Sequence, residues 1–367
     1  MSRRMEVAHG VVCRLPGDRL GYFGWPSVAR LDDGTLFVAS SGLRTEHVCP
    51  FGKTVLHVSR DDGATWSPPR VIQDSLIDDR DAGVVALGGR RLLVSWFRSI
   101  ASRKSGIPSW LPEVEKPRWA EAHAACGGER LQALLGSWVM LSDDAGATWS
   151  EPIRAPLSAP HGPIRLRNGD LLYLGKDLCD YGGQGAGRVA AARSADGGRT
   201  WQVAGTVPLC AGTHPANYHE PHAVELPSGR LLGMIRIQDH SGKSLAAAGI
   251  PTFSLMQTES DDGGATWTPA RPLGFHGSPP HLLRHSSGTL VLAYGYRLAP
   301  FGQRVAISRD DGATWEHDLI LRDDGPDGDL GYPATVELGD DRLFTVYYQK
   351  AAAGEKCSLL WSRWALP

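Results

Sequence analysis

The feature that most constrains the fold of this chain is an octapeptide that occurs five times. The copies fit Ser-x-Asp-x-Gly-x-Thr-Trp: SRDDGATW (59–66), SDDAGATW (142–149), SADGGRTW (194–201), SDDGGATW (260–267) and SRDDGATW (308–315). Each lies between short apolar segments of strand character, which predicts the turn of a β-hairpin. Asp and Ser side chains satisfy turn amides, Gly takes a positive φ, and Trp packs under the turn. The pattern favours this structural role over calcium binding or catalysis by the five aspartates.

A second repeat, conserved only in its pattern along the chain, occurs six times. Each copy reads as a strand, a turn with Gly or Asp, and a second strand that ends in polar or aromatic residues. Corresponding positions are spaced by 56, 80, 59, 59 and 53 residues, at Pro26, Ala82, Gly162, Pro221, Pro280 and Pro333. Together the two repeats indicate six units of four strands each.

Six four-stranded units arranged radially form a six-bladed β-propeller, so we expect an all-β fold with blades of four antiparallel strands. The last copy of the repeat stops at LLWSRWALP, and we expect an N-terminal strand from MEVAHGVVCRL to complete that blade and close the ring. Residues 1–367 are expected to form one domain. The spacing of 80 indicates an insertion in blade 2 at about 99–136, partly helical in composition, which is either a lid over a site or a peripheral loop.

Composition narrows the possible partners and cellular context. The net charge of -2 gives no reason to expect nucleic acid or an anionic membrane as partner. The chain has no apolar run typical of a signal peptide or a membrane span, so we expect a cytoplasmic protein. Its six cysteines include no C-x-x-C pair, which favours reduced thiols over a zinc or redox site. The sequence does not predict the oligomeric state.

The five boxes on a six-bladed pattern resemble the sialidase (neuraminidase) superfamily, whose repeats are called Asp boxes or BNR repeats. The resemblance covers nearly the whole chain and implies a carbohydrate ligand over the central channel, where the innermost strands begin. Superfamily members include sialidases, other exo-acting glycosidases, lyases and glycan-binding proteins. Since one fold hosts many functions, each site residue must be argued separately.

The resemblance implies a tyrosine nucleophile and a partner glutamate. GYPATVEL places Tyr332 at the start of the inner strand of the last blade, and HEPHAVEL supplies Glu220, with Glu225 as the alternative. A neutral phenol can approach an anomeric carbon beside a carboxylate, where an anionic nucleophile would be repelled.

The family also holds the substrate carboxylate with three arginines, which are planar forks suited to that group. Arg236 and Arg297 match two of them, with Arg304 as the alternative to Arg297. The first arginine, in an F-R-I-P motif, is replaced by glycine in YFGWP. Arg44 and Arg98, at the ends of neighbouring strands, are the candidates to replace it. The sequence therefore predicts an acidic sugar without specifying sialic acid.

The acid/base residue has three candidates. The loop SGLRTEHVCPFGK, where the family has an aspartate, offers Glu46, and the cluster IDDRDAG offers Asp79 and Asp81. Crowded carboxylates raise one another's pKa, which a general acid near neutral pH requires, and Arg80 would keep one of them ionised. The cluster is equally compatible with a solvated turn.

Several histidines and one tryptophan are predicted around the same channel mouth, where we assign them to substrate binding; they are His47, His161, His219, His222 and Trp25, and His281 lies at a corresponding position. Histidines on separate blades are poorly spaced for a metal, so no metal or cofactor is predicted. A histidine base with Tyr332 as acid would instead suit a lyase acting on a uronic acid.

The favoured interpretation is an exo-glycosidase that removes a terminal acidic sugar with retention, through Tyr332 and Glu220. Two alternatives stay open: a polysaccharide or uronate lyase, and a glycan-binding propeller without catalysis.

Overall fold

The structure is a computed structural model that describes residues 3–178 and 187–367. Its strands form six sheets, each with four antiparallel strands, and a further two-residue strand joins one sheet in parallel. The inner strands of successive blades contact one another around the ring, and those of the last blade contact those of the first. The sequence-based prediction of an all-β, six-bladed propeller is confirmed.

The strands are numbered in chain order. The first two and blade 1 are β1 (Arg3–Arg4), β2 (Val7–Cys13), β3 (Tyr22–Arg30), β4 (Leu36–Arg44), β5 (Lys53–Ser59) and β6 (Arg70–Gln73). Blades 2 and 3 contain β7 (Asp78–Gly88), β8 (Arg91–Ser99), β9 (Gly136–Ser142), β10 (Ile153–Ala155), β11 (Ile164–Arg165), β12 (Leu171–Lys176), β13 (Val189–Ser194) and β14 (Gln202–Thr206). Blades 4 to 6 contain β15 (Tyr218–Glu225), β16 (Leu231–Ile237), β17 (Ser254–Ser260), β18 (Arg271–His276), β19 (Pro280–Arg284), β20 (Leu290–Tyr296), β21 (Phe301–Ser308), β22 (Glu316–Gly325), β23 (Gly331–Glu337), β24 (Leu343–Lys350) and β25 (Cys357–Trp364).

Helices occur mainly between β8 and β9, where the sequence predicts an insertion. They are α1 (Ala101–Ser105), α2 (Lys116–Ala124) and α3 (Gly128–Leu134). Trp119 of α2 is buried with Leu111 and Cys49, so the insertion packs onto the loop that follows β4. Single 3₁₀ turns also lie at Pro215–Asn217 and Ala246–Ala248.

The core lies between blades, because each sheet packs both faces against neighbours. In β4, Leu36 and Val38 join a cluster shared with blade 6, whereas the alternating Phe37 joins one with Trp96 of blade 2. Burial on both faces explains why the middle strands read as nearly continuous apolar runs.

The repeated octapeptide forms the turn between the third and fourth strands of five blades. In the first copy, Ser59 Oγ accepts a hydrogen bond from Gly63 N at 2.9 Å, and Asp61 accepts bonds from Thr65 N and Oγ1 at 2.9 and 2.6 Å. Trp66 Nε1 donates to Gly63 O at 3.1 Å. The Ser and Asp contacts recur in the other four copies. These contacts are the structural turn predicted from the sequence.

The ring closes through an N-terminal strand, also as predicted. Strand β2 is the outer strand of blade 6, antiparallel to β25, with Val7 opposite Trp364. The pairing supplies hydrogen-bond partners to what would otherwise be an open sheet edge.

Five cysteines are free in the structure, and the sixth, Cys179, lies outside the described residues. Among the residues that the structure describes, no helix is long and apolar enough to span a membrane.

Candidate active site

The side chains of the site project from a repeated irregularity at the start of the inner strands. Trp25, Asp81, Glu220 and Tyr332 have φ values of 53, 53, 49 and 52°, in the left-handed region, and each lies where strand pairing shifts register. Gly162, before Pro163 in blade 3, has φ 75°. A non-glycine residue in this conformation costs about 1–2 kcal/mol. Four blades thus hold a strained residue at one position and direct its side chain to the same pocket.

This pocket has a volume of about 250 Å³ and lies over the channel, where these four residues meet. We call Trp25, Asp81, Glu220 and Tyr332 the bulge residues, because each lies at a register shift of its strand pair. Arg236 and Gln238 reach it from the end of β16 and the residues after it, and Arg297 from the residue after β20. His47 reaches it from the loop after β4, and Ala101 of α1 also lines it. Three arginines and two carboxyl groups line the cavity, which therefore favours an anionic ligand.

Tyr332, Glu220 and Arg236 form one hydrogen-bonded group. The Tyr332 hydroxyl donates to Glu220 Oε1, and Arg236 Nη1 donates to Glu220 Oε2 at 2.5 Å and to the Tyr332 oxygen at 3.3 Å. Burial, with the Glu220 carboxylate, raises the pKa of Tyr332 well above its usual value. The phenol is therefore neutral at rest, with a proton acceptor and a cation in contact with its oxygen.

Asp81 is a second carboxyl group in the pocket, in a different environment. It is 8% exposed, and its Oδ1 has no hydrogen-bond partner among the described residues. Burial raises the pKa of Asp81 to about 7, although Arg80, whose Nε lies 4.0 Å from Oδ1, opposes the shift. A carboxyl group of this pKa can both donate and accept a proton near neutral pH.

Trp25 forms the floor on the blade 1 side, where the resemblance leads one to expect an arginine. The guanidinium carbons of Arg80 and Arg44 lie 4.1 and 4.9 Å from its ring centroid. Arg80 lines the pocket, whereas Arg44 is fully buried and pairs with Asp78 through both guanidinium nitrogens, at 2.5 and 2.9 Å. Of these two arginines, Arg80 is therefore the one that lines the pocket, next to the segment in which the resemblance leads one to expect an arginine.

Arg297 differs from Arg236 in having no hydrogen bond or ion pair to any described residue. Its guanidinium carbon lies 5.9 Å from the ring centroid of Phe253 and 6.0 Å from that of Tyr332. Arg236, in contrast, is bonded to Glu220 and Gln238. Arg297 is the pocket arginine with its donors free for a ligand.

His47 is fixed at the edge of the pocket. Its Nδ1 lies 2.8 Å from Asp329 Oδ1, its ring is 4.9 Å from that of Trp25, and Tyr22 also donates to Asp329. Hydrogen bonds from His47, Cys357 and Tyr22 outweigh burial and lower the pKa of Asp329 to about 2. Asp329 therefore remains an anion that orients His47.

The remaining predicted acids lie outside the pocket. Asp79 is completely buried, accepts a hydrogen bond from Ser75 N at 2.7 Å, and pairs with Arg98 at 3.3 Å. Arg98 itself stacks on Trp138. Glu46 lines a neighbouring cleft.

The predicted histidines separate into two groups. His219 lines the pocket, with its ring 4.8 Å from that of His240. His161, His222 and His281 lie deeper, in a channel cavity of about 380 Å³, with ring centroids 4.4 to 5.7 Å apart. Burial lowers the pKa of all three, and His222 Nδ1 accepts a hydrogen bond from Leu282 N. In the described part of the chain no group of His, Cys, Asp and Glu is arranged to hold a metal.

Sequence reasoning did not select Gln238 and His240, which line the pocket beside Arg236. The signal was present, because alternate residues of an extended chain share a face, and positions 236, 238 and 240 continue one face of β16 beyond its end.

Comparisons with known proteins agree with this architecture. A protein of unknown function from Dyadobacter fermentans superposes with a TM-score of 0.74 at 22% identity, covering 97% of both chains. The NanB sialidase of Streptococcus pneumoniae gives 0.68 at 13% identity, over 97% of this chain and 70% of that one. An alpha-L-arabinanase of Penicillium chrysogenum gives 0.61 at 15% identity, over 97% and 98%. At these identities the similarity shows the fold alone.

No protein of curated function matches the sequence significantly. Residues 119–345, more than half of the chain, match the model of the BNR repeat-like domain. With five Asp-box turns on a six-bladed propeller, the chain belongs to the BNR repeat-like family.

Proposed function

We propose that this protein is a retaining exo-glycosidase that hydrolyses a terminal acidic sugar, with Tyr332 as nucleophile. The observation that carries the proposal is the contact of one phenol oxygen with both a carboxylate, Glu220, and a guanidinium, Arg236. Packing alone gives no reason to bury a carboxylate and a cation against a tyrosine hydroxyl, since burying charge is costly.

In the first step, Glu220 takes the phenolic proton as the Tyr332 oxygen forms a bond to the anomeric carbon. The glycosidic C–O bond breaks, and protonated Asp81 gives its proton to the departing oxygen. Arg236, 3.3 Å from the phenol oxygen, stabilises the negative charge that develops there. Covalent tyrosyl-glycoside and free leaving group are the products of this step.

In the second step, ionised Asp81 removes a proton from water as the water oxygen attacks the same carbon. The bond to Tyr332 breaks, and the phenolate recovers the proton from Glu220. Two displacements at one carbon give net retention. Burial supports the double role of Asp81, because a pKa of about 7 allows both protonation states near neutral pH.

The charge of the pocket supports an acidic substrate. Arg297 has free donors in a planar fork suited to a carboxylate, and Arg80 also lines the cavity, over Trp25. The number of such arginines does not identify sialic acid, and a uronic acid is the other class that fits.

Covalent trapping tests this mechanism directly. Fluorinated sialosyl and glucuronyl fluorides should form a stable adduct on the peptide that contains Tyr332, identified by mass spectrometry. Hydrolysis of the matching aryl glycosides should release the sugar with retained configuration. An unsaturated uronate product would instead establish the lyase, and absence of both adduct and turnover across sialosides and uronosides would favour a binding protein.

The lyase remains the second candidate because His219 and His240 lie together in the pocket. Burial lowers the pKa of both, so that they are neutral bases near pH 7.

A further inference from the structure

A second cleft lies beside the pocket, between the loop after β4 and the helical insertion of blade 2. Its volume is about 240 Å³, and His47 and Val48 line both this cleft and the pocket. We call it the insertion cleft; its other lining residues are Glu46, Ser102, Ser105, Gly106, Pro108, Trp110 and Trp119. His47 and Val48 therefore form the border between the two cavities, and the cleft lies directly beyond them from a sugar in the pocket.

Two tryptophans give the cleft its recognition surface. Trp110 is 64% exposed, unusual for so large an apolar side chain, and it lies on the insertion rather than in a core. Trp119 is 1% exposed, and its Nε1 has no hydrogen-bond partner among the described residues. Trp119 therefore contributes packed aromatic surface to the cleft, because its Nε1 is itself buried and out of a ligand's reach.

Glu46 adds an acceptor to the same cleft. Its carboxyl group forms no hydrogen bond or ion pair with a described residue, and burial raises its pKa. An aromatic face beside a free acceptor matches a sugar ring, which has apolar C–H faces and hydroxyls at its edge. A purely apolar leaving group would leave the Glu46 acceptor unsatisfied.

We propose that the insertion cleft binds the leaving-group sugar, a neutral saccharide ring that stacks on Trp110 and donates a hydroxyl hydrogen bond to Glu46. This inference rests on the proposed function for the identity of the adjoining pocket. It assigns the insertion a role in choosing the sugar to which the terminal acidic residue is attached.

Binding of neutral disaccharides tests the proposal without requiring turnover. The full-length protein is titrated with lactose, cellobiose and chitobiose, and binding is followed by saturation-transfer NMR. At least one should bind, and Trp110→Ala should weaken it about tenfold, the equivalent of about 1.4 kcal/mol. Val114→Ala is the matched control, because Val114 is 63% exposed on the same insertion and does not line the cleft.

Failure to bind any of the three sugars, or equal binding by Trp110→Ala, would overturn the assignment. So would tighter binding of an apolar probe such as octyl alcohol than of every sugar. Trp110→Phe should retain most of the affinity because it keeps an aromatic face, which separates stacking from misfolding. Because the assay needs no catalysis, missing Tyr332 adducts with intact disaccharide binding would reject the hydrolase and leave the cleft, and the converse result would reject the cleft alone.

Discussion

The Asp-box turns and the bulges of the inner strands are both repeated around the ring, but they repeat different things. The turns repeat backbone and side chains, so Asp61 and its four counterparts make the same contacts. The bulges repeat only a backbone conformation, on which Trp25, Asp81, Glu220 and Tyr332 present four unlike side chains. Identical side chains mark the turns that hold the blades, and varied side chains on a common backbone line the candidate site.

The largest expected effect is a loss of activity, without a comparable loss of stability, on substitution of a bulge residue. Tyr332→Phe removes the proposed nucleophile, so kcat should fall by at least about 10³-fold, while loss of its two hydrogen bonds changes the free energy of unfolding by only about 1–3 kcal/mol. Steady-state kinetics and urea unfolding measure the two. Tyr347→Phe is the control, since it deletes the hydroxyl of an equally buried tyrosine that does not line the pocket. That hydroxyl lies 2.9 Å from Ser362 Oγ. Equal activity of the two variants would reject the assignment.

The converse effect is expected at an Asp-box turn. Trp267 is 6% exposed, donates to Gly264 O at 3.0 Å and packs in the cluster between blades 3 and 4. Trp267→Ala should lower the free energy of unfolding by about 3–5 kcal/mol and leave kcat per folded molecule unchanged. Trp66→Ala, at the partly buried equivalent position, should cost less. A change in kcat at 25 °C would contradict the division of roles.

The two kinds of aspartate should respond to pH in opposite directions. The pKa of Asp81, raised by burial from 3.8 to about 7, makes the folded protein bind a proton that the unfolded chain has lost, so its contribution to stability falls as pH rises from about 4 to 7. Asp81→Asn should therefore gain stability relative to the parent over that interval, by at most about 4 kcal/mol. The kcat/KM of the parent should decline above about pH 7 as this acid ionises.

Asp61 provides the opposite case. Hydrogen bonds from Thr65 lower its pKa to about 2, so its stabilising contribution is complete above 3.8 and is lost as pH falls toward 2. The stability difference between the parent and Asp61→Asn should shrink over that acidic interval in thermal unfolding. A difference that grows with acidity would contradict this assignment.

The smallest effect concerns Gly162, which has a positive φ just before the inner strand of blade 3. An added Cβ at Gly162 would lie 2.8 Å from Ser95 Oγ, whereas at Gly169, φ 92°, it meets nothing within 4 Å. Gly169→Ala should cost about 1–2 kcal/mol from its backbone conformation alone, and Gly162→Ala somewhat more. Equal costs in urea unfolding would show that Ser95 yields. Neither change should alter kcat/KM.

The sequence predicts the blades well because turns and strand alternation are local properties. It also brings Glu220 and Tyr332 together, 112 residues apart, since corresponding positions of a ring converge on its axis. It could not choose between Asp79 and Asp81, which differ by two positions and would share a face in a regular strand. The register shift between Arg80 and Gly83 separates them, and the pattern contains no signal for its position.

The sequence also does not predict how deep along the channel each histidine side chain lies. His219 and His222 belong to one strand, yet one lines the pocket and the other the inner channel. Which of the two levels a side chain reaches depends on the register shift between these residues and on the tilt of the strand in the closed ring.

The N-terminal strand β2 and the C-terminal strand β25 are paired in blade 6. Moving the chain termini to another turn would therefore not change the order of the blades around the ring. Residues 3–8 and 363–367 line one cavity at the outer edge of blades 5 and 6, so a short linker could join them. A circular permutant opened instead at an exposed Asp-box turn would keep all six sheets, and the bulge residues would keep their places around the axis. Such a rearrangement offers a way to attach reporters beside any chosen blade without interrupting the face that carries the pocket.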